Sequence, residues 1–125
     1  MQVLVVGEKP LSIEEVVAVA RQEIQVALPS SNEWRSLIQR GADFLDQLLK
    51  DEGVIYGVTT GYGDSCLVEI PPHQVNELPL QLSRFHGCGL GQNLDLITAR
   101  AVVVTRLCSL ARGYSGVSLA LLERL

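Results

Sequence analysis

Apolar side chains recur at helical spacing through two long stretches of the sequence, and this pattern constrains the fold most. The first stretch contains Trp34, Leu37, Ile38, Leu45, Leu48 and Leu49. The second contains Leu94, Ile97, Ala101, Val104, Leu107, Cys108 and Ala111. Residues three and four positions apart share one face of a helix. Both stretches therefore predict amphipathic helices with one buried face.

Two short extended segments lie near the N-terminus. Val3–Val6 is followed by Gly7, and Gln25–Leu28 is followed by Pro29. Between them, Ser12-Ile-Glu-Glu15 is a capping-box sequence, which predicts a helix over about 13–22. The predicted fold class is mainly α, with a short strand or hairpin near the N-terminus.

Further start signals mark the other helices. Ser30-Ser-Asn-Glu33 is a second capping-box sequence, placed before the first long helix. Gln74–His86 is typical of a helix that Pro79 either kinks or begins. Asn93 or Asp95 is a suitable cap for the second long helix.

The composition excludes several classes of protein. The chain has 125 residues, of which 47% are hydrophobic and 19% are charged, as expected of a folded domain. A net charge of −4 without a basic block argues against nucleic acid or an anionic membrane as a partner. The three cysteines show no CxxC spacing, so neither a disulfide framework nor a zinc site is predicted. A reducing, cytoplasmic location fits best.

The last segment carries no stop signal for a helix. Beyond Ser115, the residues Val117, Leu119, Ala120, Leu121, Leu122 and Leu125 are typical of a strongly apolar helix, and no glycine follows them. This pattern predicts that the chain is cut from a longer one. A natural terminus packed onto a core is the alternative.

The segment from Val54 to Ser65 differs from the helical stretches because three glycines interrupt its β-forming residues. It predicts a structured loop. Tyr56, beside glycine, is able to approach a ligand there. Free tyrosine has a pKa near 10 and is a poor base at neutral pH unless its phenolate is stabilised. The alternative is a tyrosine that packs the loop onto the core.

The glycines between Gly87 and Gly91 do not form a phosphate-binding loop. Their spacing is GxGxG, and a helical pattern precedes them where a strand would be required. They predict a tight turn between two helices. His86, just before them, is more typical of a cap or a core residue than of a metal ligand.

Three segments, in this order, resemble the motifs of the aromatic amino acid ammonia-lyases and aminomutases. They are Tyr56-Gly-Val-Thr-Thr-Gly-Tyr-Gly63, Leu82-Ser-Arg-Phe-His-Gly-Cys-Gly89 and Arg106-Leu-Cys-Ser-Leu-Ala-Arg-Gly-Tyr-Ser-Gly-Val117. The resemblance extends from about residue 8 onward. It implies a predominantly helical homo-oligomer that eliminates ammonia from an aromatic amino acid to give an α,β-unsaturated acid.

The resemblance also implies a prosthetic group. The family forms its electrophile, a methylidene-imidazolone, from an internal Ala-Ser-Gly triplet, and no such triplet occurs in these 125 residues. In the family the triplet lies shortly beyond the matching region. Residues 1–125 are therefore expected to be the N-terminal fragment of the catalytic domain, truncated before the triplet. Such a fragment carries no cofactor or metal and is expected to be inactive alone.

The resemblance assigns roles to the tyrosine loop. Tyr56 matches the catalytic base of the family, which removes a proton from the β-carbon of the substrate. Gly57, Gly61 and Gly63 match the glycines that allow the loop to close over the substrate.

Phe85 and His86 match a pair that tunes substrate choice in the family. His86 is able to hydrogen-bond an imidazole or a phenol, and Phe85 adds an apolar wall. This favours histidine or tyrosine over phenylalanine as the substrate. Lyase and aminomutase outcomes remain open, as does a stand-alone helical interaction or assembly module without catalysis.

Overall fold

The computed structural model describes residues 2–51 and 53–125. Within these residues the chain is mainly helical, as predicted. The elements are β1 (Val3–Val5), α1 (Ile13–Ala20), β2 (Gln25–Ala27), α2 (Asn32–Lys50), α3 (Leu78–His86), α4 (Leu96–Leu110) and α5 (Leu119–Arg124). Two compact units are formed, one from residues 2–44 with 93–125 and the other from residues 45–51 with 53–92. No helix in the described ranges is both long enough and apolar enough to cross a membrane.

The two strands of the first unit form a parallel pair. Val3 lies opposite Gln25, Leu4 opposite Val26 and Val5 opposite Ala27. Parallel neighbours need a crossover connection in place of a tight turn, and α1 provides it. The short strand near the N-terminus is therefore confirmed, and its pairing is not a hairpin.

The capping box before α1 is confirmed. The hydroxyl of Ser12 accepts a hydrogen bond from the N–H of Glu15 at 3.2 Å, and the Glu15 carboxylate accepts one from the N–H of Ser12 at 2.9 Å. The ammonium of Lys9 also donates to that carboxylate at 2.9 Å. The hydrogen bonds from Lys9 and Ser12 lower the pKa of Glu15.

The second predicted capping box is wrong by one residue. The hydroxyl that caps α2 belongs to Ser31, which accepts from the N–H of Trp34 at 3.2 Å. With Ser31 as the cap, Glu33 occupies the second helical position and cannot close a capping box.

Three other helix starts are set by local chemistry. Pro79 lies in the first turn of α3, so it begins the helix without kinking it, and α3 starts four residues later than predicted. The Asp95 carboxylate caps α4, as one of the two predicted options. The N–H and hydroxyl of Thr98 donate to it at 2.9 and 2.8 Å and lower its pKa. The last helix begins after Ser118, whereas the prediction began it at Ser115.

The core of the first unit forms where α2 and α4 meet β1. Its buried members are Leu4, Val6, Trp34, Ile38, Val104, Leu107, Cys108, Leu110, Ala111 and Leu122. The indole N–H of Trp34 donates to the carbonyl oxygen of Ala111 at 2.8 Å. Gly7 has φ +94°, and a Cβ placed on it would lie 2.8 Å from the Cβ and the carbonyl oxygen of Ala111. Only glycine fits this contact.

Candidate functional site

The loop that contains Tyr56 belongs to the second unit and is closed by backbone hydrogen bonds. The N–H groups of Val58 and Thr59 both donate to the carbonyl oxygen of Ile55 at 3.0 Å, which forms a turn around Tyr56. Farther along, Thr60 and Glu69 form an isolated antiparallel bridge. The predicted structured loop is therefore confirmed.

Tyr56 projects its ring into solvent and is 65% exposed, so it does not pack the loop onto a core. The N–H of Gly63 donates a hydrogen bond to the Tyr56 phenolic oxygen at 3.0 Å. The Tyr62 ring stands edge-on to the Tyr56 ring, with centroids 6.2 Å apart and planes at 89°. These two contacts orient the phenol and leave its own hydroxyl hydrogen available to another acceptor.

The three glycines predicted as a loop hinge have different surroundings. Gly57 has φ +72°, and a Cβ there would lie 2.6 Å from Cε1 of Tyr62. Gly61 is buried, and its Cβ would lie 2.6 Å from the carbonyl oxygen of Ser65. Gly63 has φ +55° with open space around it. The backbone requires glycine at Gly57 for both conformation and space. Closure over a substrate stays a prediction.

Two threonines of the loop make contacts that sequence reasoning missed. The hydroxyl of Thr59 accepts from the N–H of Ile55 at 2.8 Å. The hydroxyl of Thr60 accepts from the N–H of Gly57 at 3.1 Å, and Thr60 is only 5% exposed. The signal for such contacts is a threonine beside glycine in a turn, because its short hydroxyl reaches nearby backbone groups.

Phe85 and His86 lie together at the C-terminal end of α3. Their rings meet edge to face, with centroids 4.7 Å apart and planes at 77°. Both residues are exposed. Within the described part of the chain, no hydrogen bond or aromatic contact joins either ring to Tyr56. The structure thus pairs the two predicted selectivity residues and presents them separately from the tyrosine.

Thiols and metal-ligating residues are dispersed. Cys66 and Cys88 are exposed and Cys108 is buried, and all three are free thiols. Among residues 2–51 and 53–125, no group of three or more His, Cys, Asp or Glu side chains is arranged to hold a metal ion.

The sequence matches the family described as aromatic amino acid lyase over residues 11–125. The chain belongs to the aromatic amino acid lyase family. Membership was expected from the tyrosine loop and the two later motifs, and it is confirmed. The match covers the tyrosine loop, α3 with Phe85 and His86, and the core helices α2 and α4.

Individual enzymes also resemble the chain, in sequence and in structure. The histidine ammonia-lyase of Clostridium tetani is 37% identical over 115 residues, which are 92% of this chain and 22% of that enzyme. A tyrosine aminomutase from Streptomyces globisporus is 33% identical and superimposes with a TM-score of 0.86 over 97% of this chain and 23% of its own. A histidine ammonia-lyase from Trypanosoma cruzi is 27% identical, with a TM-score of 0.77 over 99% of this chain and 23% of its own.

Coverage of these aromatic amino acid lyases is strongly asymmetric. Nearly all of this chain aligns with them, yet the chain spans only 22% of the length of the Clostridium enzyme. The chain thus spans about a fifth of the length of the relatives it matches.

Proposed function

We propose that this chain is the N-terminal part of an aromatic amino acid ammonia-lyase and that it supplies the base of the elimination. Three findings support the proposal: membership of the family, the 37% identity to a histidine ammonia-lyase, and the presentation of Tyr56. The last of these carries it. Tyr56 is exposed, and the N–H of Gly63 holds its phenolic oxygen.

In the proposed reaction Tyr56 takes the proton from the β-carbon of the amino acid. The C–H electron pair becomes the carbon–carbon double bond, and the bond to nitrogen breaks as ammonia leaves. A base must have its acceptor atom within about 3 Å of the proton's carbon or reach it through one water. The hydrogen bond from Gly63 and the edge-on Tyr62 ring support such a fixed orientation.

The electrophile of the family is not provided by these residues. The methylidene-imidazolone forms from Ala-Ser-Gly, and the 125 residues contain no such triplet. When present in the whole enzyme, that group supplies the electrophile that captures the substrate. We therefore propose that this chain alone is inactive. Residues 1–125 are proposed to form the part of the catalytic domain that precedes the triplet.

Phe85 and His86 are proposed to select the substrate side chain. The exposed imidazole of His86 offers a hydrogen-bond partner, and the Phe85 ring beside it adds an apolar surface. A site with such a polar partner rejects substrates that lack the matching group. Histidine or tyrosine is the favoured substrate class.

The whole enzyme is proposed to be a cytoplasmic homo-oligomer. Two exposed free thiols, Cys66 and Cys88, support a reducing compartment. An aminomutase is the second candidate, because the tyrosine aminomutase of Streptomyces globisporus matches the fold closely. A stand-alone assembly module is not favoured, since the reported relatives are much longer enzymes.

A chimera tests the proposal. Residues 11–125 of this chain would replace the matching 115 residues of the Clostridium tetani histidine ammonia-lyase. We expect ammonia release from histidine, and Tyr56→Phe should lower kcat by about 100-fold or more, the usual contribution of a general base. Tyr62→Phe is the matched control, because it removes a hydroxyl from the same loop, and it should leave kcat nearly unchanged.

The products of the chimera show which of the two candidate reactions residues 11–125 permit. Ammonia with an unsaturated acid indicates a lyase, whereas a β-amino acid indicates an aminomutase. Full activity in the Tyr56→Phe chimera would refute the assignment of Tyr56 as the base.

A further inference from the structure

Tyr56 lies between two backbone N–H groups that are both held by threonine hydroxyls. The N–H of Ile55, which precedes Tyr56, donates to Thr59 Oγ1 at 2.8 Å. The N–H of Gly57, which follows it, donates to Thr60 Oγ1 at 3.1 Å. We propose that Thr59 and Thr60 are positioning residues that fix the backbone on both sides of the base. This inference rests on the proposed role of Tyr56.

Thr60 is the more constrained of the two. Its side chain lies in the interior of the loop and is 5% exposed. The hydroxyl accepts from Gly57 and donates its own hydrogen to the carbonyl oxygen of Gly61 at 3.0 Å. Because both of its hydrogen-bonding functions are used, the hydroxyl cannot rotate without losing a bond. A buried group of this kind is costly to leave unpaired.

Thr59 anchors the same turn to the segment before it. Its hydroxyl accepts from Ile55 and donates to the carbonyl oxygen of Gly53 at 3.1 Å. Its backbone also bonds to the turn, since its N–H donates to the carbonyl oxygen of Ile55 at 3.0 Å. Thr59 therefore ties the start of the turn to the residues that lead into it.

The rest of the loop holds the two threonines in place. The N–H of Ile70 donates to the carbonyl oxygen of Thr59 at 2.9 Å, and the N–H of Gly61 donates to that of Val68 at 3.0 Å. Thr60 itself pairs with Glu69 in the antiparallel bridge. Backbone hydrogen bonds thus fix the two threonines. Their hydroxyls in turn hold the N–H groups on either side of the exposed Tyr56.

The consequence for Tyr56 concerns its phenolic oxygen. That oxygen accepts from Gly63, which lies seven residues later, so the bond survives only while the intervening turn keeps its shape. A displacement of about 1 Å at a reacting group can cost about 100-fold in rate. The two hydroxyls are therefore expected to act on kcat through Tyr56, with little effect on substrate affinity.

The test compares two variants of Thr60. Thr60→Val keeps the branched shape and removes the hydroxyl, whereas Thr60→Ser keeps the hydroxyl and removes the methyl group. In the 125-residue chain, amide exchange measured by NMR should accelerate about 10-fold at Gly57 and Gly63 in Thr60→Val, as a hydrogen bond of ordinary net strength predicts. Thr60→Ser should restore slow exchange. The amide of Ile38 in α2 reports on folding of the first unit.

The same variants are then placed in the chimera with the Clostridium enzyme. Thr60→Val should lower kcat by about 10- to 100-fold with KM nearly unchanged, and Thr60→Ser should recover most of it. Thr59→Val is the second variant, for which accelerated exchange at Ile55 is expected. If Thr60→Val does not fold, Thr59→Val still tests the proposal.

Unchanged exchange at Gly57 and Gly63 in Thr60→Val would overturn the inference. Equal loss of kcat in Thr60→Val and Thr60→Ser would also overturn it, because the hydroxyl would then not be the relevant group. If Tyr56→Phe is fully active, the proposed function fails separately, and the exchange data still decide whether the threonines hold the turn.

Discussion

The indole N–H of Trp34 lies 2.8 Å from the carbonyl oxygen of Ala111, and this hydrogen bond joins α2 to the end of α4. Ala111 is completely buried, and Gly7 packs closely against its Cβ and its carbonyl oxygen. Its carbonyl oxygen therefore depends on Trp34 for this hydrogen bond. Three segments that are far apart in sequence meet at this hydrogen bond: α2, the end of α4 and the turn at Gly7.

Trp34→Phe is expected to destabilise the first unit. The variant keeps an aromatic ring but leaves the Ala111 oxygen without its donor, which costs about 1–3 kcal/mol in the free energy of unfolding. Urea unfolding followed by circular dichroism measures this cost. Phe44→Leu is the control on the same helix, because Phe44 is 64% exposed and should tolerate the change. Equal effects of the two variants would contradict the importance of the hydrogen bond.

Gly7→Ala and Gly91→Ala separate backbone strain from steric clash. Both glycines have positive φ, +94° and +109°, so alanine costs about 1–2 kcal/mol at either position. Only Gly7 has a neighbour that the new Cβ would meet, at 2.8 Å in Ala111. At Gly7, overpacking adds about 1–3 kcal/mol to this cost. Unfolding free energies that are equal for the two variants would show that the close contact is unimportant.

Gly57→Ala is expected to separate the two tyrosine rings of the loop. The new Cβ would lie 2.6 Å from Cε1 of Tyr62, so that ring must move away from Tyr56. Gly63→Ala is the matched control, since it also has positive φ but no neighbour within 4 Å. Nuclear Overhauser contacts between the rings should disappear in Gly57→Ala and persist in Gly63→Ala. Their persistence in both variants would disprove the predicted displacement.

The cap of α4 should give a measurable pH dependence. The N–H and hydroxyl of Thr98 lower the pKa of Asp95 below its ordinary value of 3.8. A carboxyl with a lowered folded pKa stabilises the fold above the unfolded value, and that contribution disappears as the pH falls through the folded pKa. Asp95→Asn keeps an acceptor at the cap but does not titrate.

Asp95→Asn and the unchanged chain are compared by thermal unfolding at pH 6 and at low pH. The fall in Tm between the two conditions should be smaller for Asp95→Asn than for the unchanged chain. Identical falls in Tm would mean that the Asp95 carboxylate does not contribute to the acid sensitivity of the fold.

Helical periodicity predicted the main elements because burial of one face is a local property of the sequence. Trp34 and Ile38 on α2 are buried as predicted, and so are Val104 and Leu107 on α4. Four other members of the two predicted faces are exposed: Leu37, Leu49, Leu94 and Ile97. The direction of strand pairing was beyond such reasoning, since β1 and β2 have three residues each and their orientation is set by the path of α1. Ser30 and Ser31 offer the same capping chemistry, so the sequence could not decide between them, and the hydrogen bond to Trp34 identifies Ser31.

At the candidate site, the tyrosine motif pointed to Tyr56 and its glycines, and their catalytic roles stay predictions. The sequence offers threonines beside glycine in a turn, but it does not show which backbone groups Thr59 and Thr60 bind. A hydroxyl bonds to whichever backbone group the turn brings within about 3 Å, so its partner is known only when the turn is. Phe85 and His86 meet edge to face at the surface, and their role in substrate choice stays a prediction.

The contact between Gly7 and Ala111 also has a consequence for synthesis of the protein on the ribosome. The strand that precedes Gly7 emerges early, but the core residues that cover it, from Val104 to Ala111, are added about 100 residues later. At cellular elongation rates this delay is on the order of 5–20 s. During that interval the buried side chains of Leu4 and Val6 lack their partners on α4. The core of the first unit is therefore completed only when α4 has been synthesised.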